Sequence, residues 1–250
     1  VQDGDTAPVI SIVVTPDASP PCDPLRHEVL AAVFGVRADA QGFASLHVLV
    51  WQRAQAPDAG RWALPGGDLA AGEDVERSMR RHLADKVDLA EVAHLEQLAT
   101  FSDPARVPGR RVVATAFVGL VPWGVHPSLP ADTAWRSLDH LPPTALDHGR
   151  IIDRAHERLR GKLSYTNIAF ALAQDSFTIA SLARIYYAVL GHHVDPTNLQ
   201  RILARRGMLQ RTGGTASPGP AGGRPAAQYA FTTRELRVTD PFAAFRPPDH

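Results

Sequence analysis

Cysteine is nearly absent, with Cys22 alone among 250 residues. That excludes an internal disulfide framework and any multi-cysteine zinc site. No stretch approaches the ~18 consecutive apolar residues of a membrane span. Val1 to Thr6 carries two aspartates and no basic, apolar signal pattern, so a secretory route is not expected. Net charge is missing too, since 26 Lys and Arg balance 26 Asp and Glu. With 44% hydrophobic and 21% charged residues, the composition is that of a globular protein. At roughly 150 residues per domain, the length admits one large domain or two smaller ones. The expectation is a cytoplasmic protein with no membrane contact.

The zero balance hides an asymmetry. Residues 1–150 hold 13 Lys and Arg against 19 Asp and Glu, a formal −6, whereas residues 151–250 hold 13 against 7, a formal +6. A basic half of this kind points to an acidic partner, with nucleic acid the usual one.

The first half reads as strands around a helix. Val29 to Val36 and Val112 to Val121 are near-continuous apolar runs, and Ala44 to Trp51 follows a turn at residues 38–42. Glu73 to Ala84 places Val75, Met79 and Leu83 on one helical stripe. A long helix is predicted from about Asp147 to Leu163. Three short helices and a hairpin come next. The first spans about Tyr165 to Ala173, the second starts after Thr178 as N-cap and stops at Gly191, and the third opens at Asp195-Pro196 and closes at Gly207. The Gly/Pro/Ser/Ala tract from Gly213 to Ala227 is expected to be a loop between the two hairpin strands. This is the order of a winged helix.

Within the first half, Trp62-Ala63-Leu64-Pro65-Gly66-Gly67 leads to Glu73 and then Arg81. Gly67, Glu73, Arg81, Leu83 and Leu89 match the Nudix box, G-x5-E-x7-R-E-U-x-E-E-x-G-U with U aliphatic, and the segment resembles that motif. In working Nudix hydrolases the box glutamates hold Mg²⁺, a hard cation that takes oxygen ligands. Here those positions read His82, Asp85 and Lys86, and the box glycine is Asp88. An imidazole is a poor magnesium ligand, and an ammonium repels the ion. Glu73, His82, Asp85 and Lys86 therefore form a degenerate box, with no catalytic residue and no metal site expected.

In the second half, the third short helix presents Asn198, Arg201 and Arg205 opposite Leu199, Ile202 and Leu203. Asn and Arg make bidentate contacts with adenine and guanine edges. Thr178, Arg206, Arg211 and Arg224 extend the candidate DNA-binding set.

Both halves together resemble the NrtR family of Nudix-related transcriptional regulators of NAD metabolism. Thr100 to Pro104, Lys162 to Asn167, Phe177-Thr178 and Gly223-Arg224-Pro225 add to the likeness, which spans about residues 25–231. The resemblance implies an α+β chain: an N-terminal extension (1–24), a Nudix-like α/β/α sandwich (25–146), a linking helix (147–164), a winged helix-turn-helix (165–235) and a tail (236–250). It further implies a bacterial repressor of NAD biosynthesis or salvage genes that binds double-stranded operator DNA as a homodimer. ADP-ribose or a related nucleotide is then an effector rather than a cofactor, held by Arg53, Gly66, Gly67, Arg81, Arg110 and Arg111. Two readings stand beside this one. One is an active ADP-ribose hydrolase with an accessory winged helix, and the other is a winged helix that binds protein.

Overall fold

The computed structural model describes residues 25–39, 41–87 (side chains to 85), 92–216 and 225–240. The fold is α+β, with a mixed sheet between helices followed by three-helix and hairpin elements.

β1 (Arg26–Ala38) lies at the centre of the sheet. It pairs antiparallel with β2 (Ala44–Gln52) and parallel with β6 (Val112–Val121). Both of its faces are covered, which is why its sequence is an uninterrupted apolar run. Val29, Ala31 and Val33 pack on one side against Met79 and Leu83 of α1 (Val75–Val87). Leu30, Ala32, Phe34 and Val36 pack on the other against Ile151, Ile152, Ala155 and Leu159 of α2 (His148–Tyr165). Short strands β3 (Trp62–Ala63) and β4 (Gly66–Asp68) pair with β2 and β1, while β5 (His94–Phe101) and β7 (Thr133–Ser137) pair with β6 and β2.

The second half departs from expectation in two places. The predicted helix at Tyr165 to Ala173 is only a 3-10 turn over Ile168–Ala171, because Tyr165 finishes α2 and Thr166 caps it in extended conformation. The predicted loop over Gly213 to Ala227 is partly strand. β8 (Leu209–Ala216) and β9 (Ala226–Phe231) extend into it from both sides, with an irregular register between Arg211 and Thr215. α3 (Ile179–Leu190) and α4 (Pro196–Arg205) have the caps the sequence announced. Thr178 forms a capping box with Ser181, Gly191 is left-handed at φ 76°, and the Asp195 side chain accepts from Asn198 N–H.

Gly66 sets the approach of β4 to β1. A Cβ there would stand 2.0 Å from the Val29 carbonyl oxygen, a backbone atom that cannot yield without moving the central strand. Gly66→Ala should therefore destabilise the chain by roughly 1–3 kcal/mol, the usual range for overpacking. Urea unfolding measures this, and a loss below about 0.5 kcal/mol would refute the close approach.

Candidate functional site

A cleft of about 560 Å³ opens where β1, β4 and the first turn of α2 meet the loops at 53–57 and 107–110. Of the residues assigned to the ligand, Gly66, Gly67, Arg53 and Arg110 line it. Arg53 donates Nε–H to the Pro57 carbonyl at 3.0 Å. The Arg110 guanidinium is exposed and has no side-chain partner among the described residues.

Arg81 and Arg111 do not belong to the cleft lining, which corrects their assignment. Arg81 is taken up by Glu73, with Nε–Oε1 and Nη2–Oε2 both at 2.9 Å. That hydrogen-bonded pair lowers the carboxyl pKa of Glu73 and raises that of Arg81. Arg111 donates to the Ser102 carbonyl at 2.8 Å. Glu73, His82 and Asp85 are not in the cleft lining either. His82 is buried and its Nε2 is 3.0 Å from the Asp68 carbonyl, while Asp85 is exposed. The Lys86 side chain lies outside the described residues.

The buried ion group beside the cleft was not legible from the motif. Arg106, with its side chain 1% exposed, binds Asp147 at 3.0 and 2.9 Å and Glu28 at 2.6 Å. Burial works against its charge, but the two carboxylates outweigh burial and raise its pKa. Glu28 lines the cleft, and Asp147 precedes α2. His148, the first residue of α2, is buried and also lines the cleft. Its Nδ1 accepts the Leu64 N–H at 2.9 Å, so the neutral ring carries its proton on Nε2. Burial pushes this imidazole down to about 4, against the pull of Asp147. Asp68, the other carboxylate of the lining, is paired with Arg26. Trp51 closes one wall and donates Nε1–H to the Leu64 carbonyl at 3.0 Å.

On α4, Asn198, Arg201 and Arg205 are exposed while Leu199 and Leu203 are buried. Arg201 donates to Asn198 Oδ1 at 2.7 Å, so the two polar groups form one preset pair. Arg211 is exposed on β8, near the Tyr229 ring. Arg206 and Thr178 are corrections. Arg206 donates to the Ser164 carbonyl at 2.7 Å and pairs with Asp240 at 2.7 Å, tying the end of α4 to the end of α2. The Thr178 hydroxyl is used in the capping box of α3. Arg224 lies outside the described residues. No described helix is long and apolar enough to cross a membrane.

This geometry defines a Nudix fold joined to a winged helix. The NUDIX domain model matches residues 27–155, just over half of the chain, and the model of the NrtR DNA-binding winged helix domain matches residues 169–231. The chain belongs to the NrtR family. Among its relatives is the ADPR responsive transcriptional repressor NtrR of Acinetobacter baylyi, 27% identical over 203 residues (78% of this chain and 80% of the relative). The crystal structure of Shewanella oneidensis NrtR, 26% identical, matches with a TM-score of 0.71 over 82% of this chain and 94% of that one. The same protein complexed with a 27mer DNA gives 0.68, at 27% identity over 82% and 93%. A putative 8-oxo-dGTP diphosphatase 2 of Mycobacterium tuberculosis is 53% identical over 49 residues, which is 19% of this chain and 34% of the relative.

His148 yields a pH prediction. The unfolded imidazole takes its proton near 6.5, whereas the folded one stays neutral to about 4. Its contribution is complete above pH 6.5 and is lost as pH falls to 4, a span worth about 3 kcal/mol. His148→Gln should remove that component, so its urea unfolding free energy falls less steeply over this interval. Parallel curves for the two proteins would contradict the assignment.

Proposed function

We propose that this protein is a bacterial transcriptional repressor of NAD biosynthesis or salvage genes, with ADP-ribose or a close NAD-derived nucleotide as its effector. The winged helix binds double-stranded operator DNA, and the Nudix cleft binds the nucleotide. One observation carries the reading: a cleft lined by arginines is joined, through α2, to a recognition helix with an exposed Asn–Arg face. The names of the Acinetobacter repressor and of the DNA-bound Shewanella structure support it. The operator partner places the protein at the nucleoid in the cytoplasm.

The Nudix domain is, on this reading, catalytically silent. Magnesium chemistry in this fold needs free carboxylates around the substrate diphosphate. Among the described residues, the cleft offers only Glu28 and Asp68, each paired with an arginine. Among the described residues, no three His, Cys, Asp or Glu side chains converge as metal ligands. The donor set does not fit the ion, and ADP-ribose is bound without being cleaved. Arginines hold phosphate without a metal.

A homodimer follows from operator reading, because one recognition helix covers only a few base pairs. Two helices related by a two-fold reach half-sites about 34 Å apart, or a multiple of it. α2 is the element that links ligand to DNA. Its first residue lines the cleft, and its Ser164 carbonyl holds Arg206, the residue that caps α4.

The decisive experiment is a salt-controlled titration on promoter fragments, with and without ADP-ribose. Sequence-selective binding that ADP-ribose alters is the expected result. Binding without selectivity would refute the reading, as would Mg²⁺-dependent turnover of ADP-ribose at about 1 per second or faster.

Arg201→Ala should cost ~1–3 kcal/mol on operator DNA and less on random DNA, since the assignment is to a base edge. Competition binding measures both. An equal loss on the two would make Arg201 a phosphate contact.

A further inference from the structure

A two-stranded hairpin is marginally stable alone in water, so its direction has to be set by what it packs on. Every residue of β8 between its two ends is exposed, and packing along that strand does little to aim it. Only the base of the hairpin is anchored in the core. There Phe231 is buried against Phe177, with ring centroids 5.2 Å apart.

Beyond the base, Tyr229 ties the hairpin to both helices of the helix-turn-helix. Its N–H and carbonyl exchange hydrogen bonds with Phe177 at 2.8 and 2.9 Å, one residue ahead of the cap of α3. Its hydroxyl accepts Gln200 Nε2–H of α4 at 2.8 Å. Among the described residues, that is the only side-chain hydrogen bond between α4 and the two strands. Tyr229 also stands opposite Arg211 in the ladder, so the two side chains leave the same face. The Arg211 guanidinium lies 5.9 Å from the centre of the phenol ring, at the outer limit of a cation–π contact.

A phosphate contact carries no base information, but it fixes where a protein sits along the duplex. An Arg211 held at a set distance from α4 therefore fixes the register in which Asn198 and Arg201 meet base edges. On a swinging hairpin the same arginine takes whichever phosphate is near, and the register blurs. We infer that Tyr229 is a positioning residue for operator reading, its hydroxyl holding the hairpin cation and the recognition helix at one spacing. The inference rests on the DNA-binding reading above. Tyr229 acts through Gln200 and needs no contact of its own with DNA.

Competition binding with the full chain tests this, on the duplex that the wild-type protein selects from a randomised pool and on a scrambled duplex of the same composition. Tyr229→Phe keeps the ring and the backbone pair and removes only the hydroxyl. Its preference for the selected duplex should fall about three- to tenfold, the range of one hydrogen bond. Gln200→Leu should lose the same preference, and adding Tyr229→Phe to it should cost nothing more. Thr232→Val removes a hydroxyl that donates to the Gly207 carbonyl at 2.9 Å, away from this link, and should leave the preference intact. Unchanged preference in Tyr229→Phe overturns the inference. So does a full further loss in the Gln200→Leu background, or an equal loss in Thr232→Val. Equal weakening on the two duplexes overturns it as well, because Tyr229 would then touch the DNA backbone itself. A wild-type protein that prefers no duplex refutes the operator reading instead.

Discussion

A guanidinium shut away from water between two carboxylates fixes the geometry on which both halves depend. Arg106 joins Glu28 of the central strand to Asp147, the residue from which α2 starts. Burying such a triad is costly, and an apolar replacement of similar volume is often no less stable. What apolar packing does not provide is direction. The Nε and Nη2 of one planar guanidinium meet both oxygens of Asp147, so α2 has a single angle of departure from the sheet. With that angle set, Ile151, Ala155 and Leu159 fall onto Phe34 and its neighbours, and His148 falls into the cleft.

The winged helix is packed on the Nudix sheet, rather than tethered to it. One apolar core runs from Leu30 and Phe34 through Leu159 and Phe170 to Leu182 and Tyr186. α3 packs on β2, and Arg184 both bonds the Gly42 carbonyl and stacks on Trp123, 4.7 Å from the ring centroid. Interiors packed in this way shift between discrete arrangements and do not bend freely. α2 and its attachments, Arg206 among them, are thus packed as one unit with the recognition helix.

What could be read from the chain follows from how local each signal is. β1, β2 and β6 are apolar runs because two faces are buried, and their limits were close to the observed ones. Caps were equally legible, since Thr178, Gly191 and Asp195 act on neighbours within four residues. β5 and β7 were missed. Each has a single buried residue, and HLEQLATF and TAWRS carry no clear alternation. The cleft divides the same way. Gly66 and Gly67 announce themselves in a motif, whereas Arg106 is defined by partners 78 and 41 residues away. Arginine is also a poor witness to its own role. Arg111 and Arg206 looked free in sequence, and each is held by a carboxylate or a carbonyl that only the fold brings near, whereas Arg81 could already be read as a partner of Glu73.

The charge asymmetry of the chain acquires a physical meaning once the two ends of α2 are placed. The half with a formal −6 contains the cleft, and the half with +6 carries α4 and the hairpin. Near DNA, the first is repelled and the second attracted, so the molecule approaches with the recognition helix leading. Screening confines this steering to separations near the Debye length, about 8 Å at physiological salt, so it orients the last step of encounter. The acidic half also protects the effector site. Within it, Arg26 and Arg106 are locked to carboxylates, and Arg53 and Arg110 line the cleft. Polyanionic DNA and a small diphosphate can thus be bound by one chain without competing for the same cations.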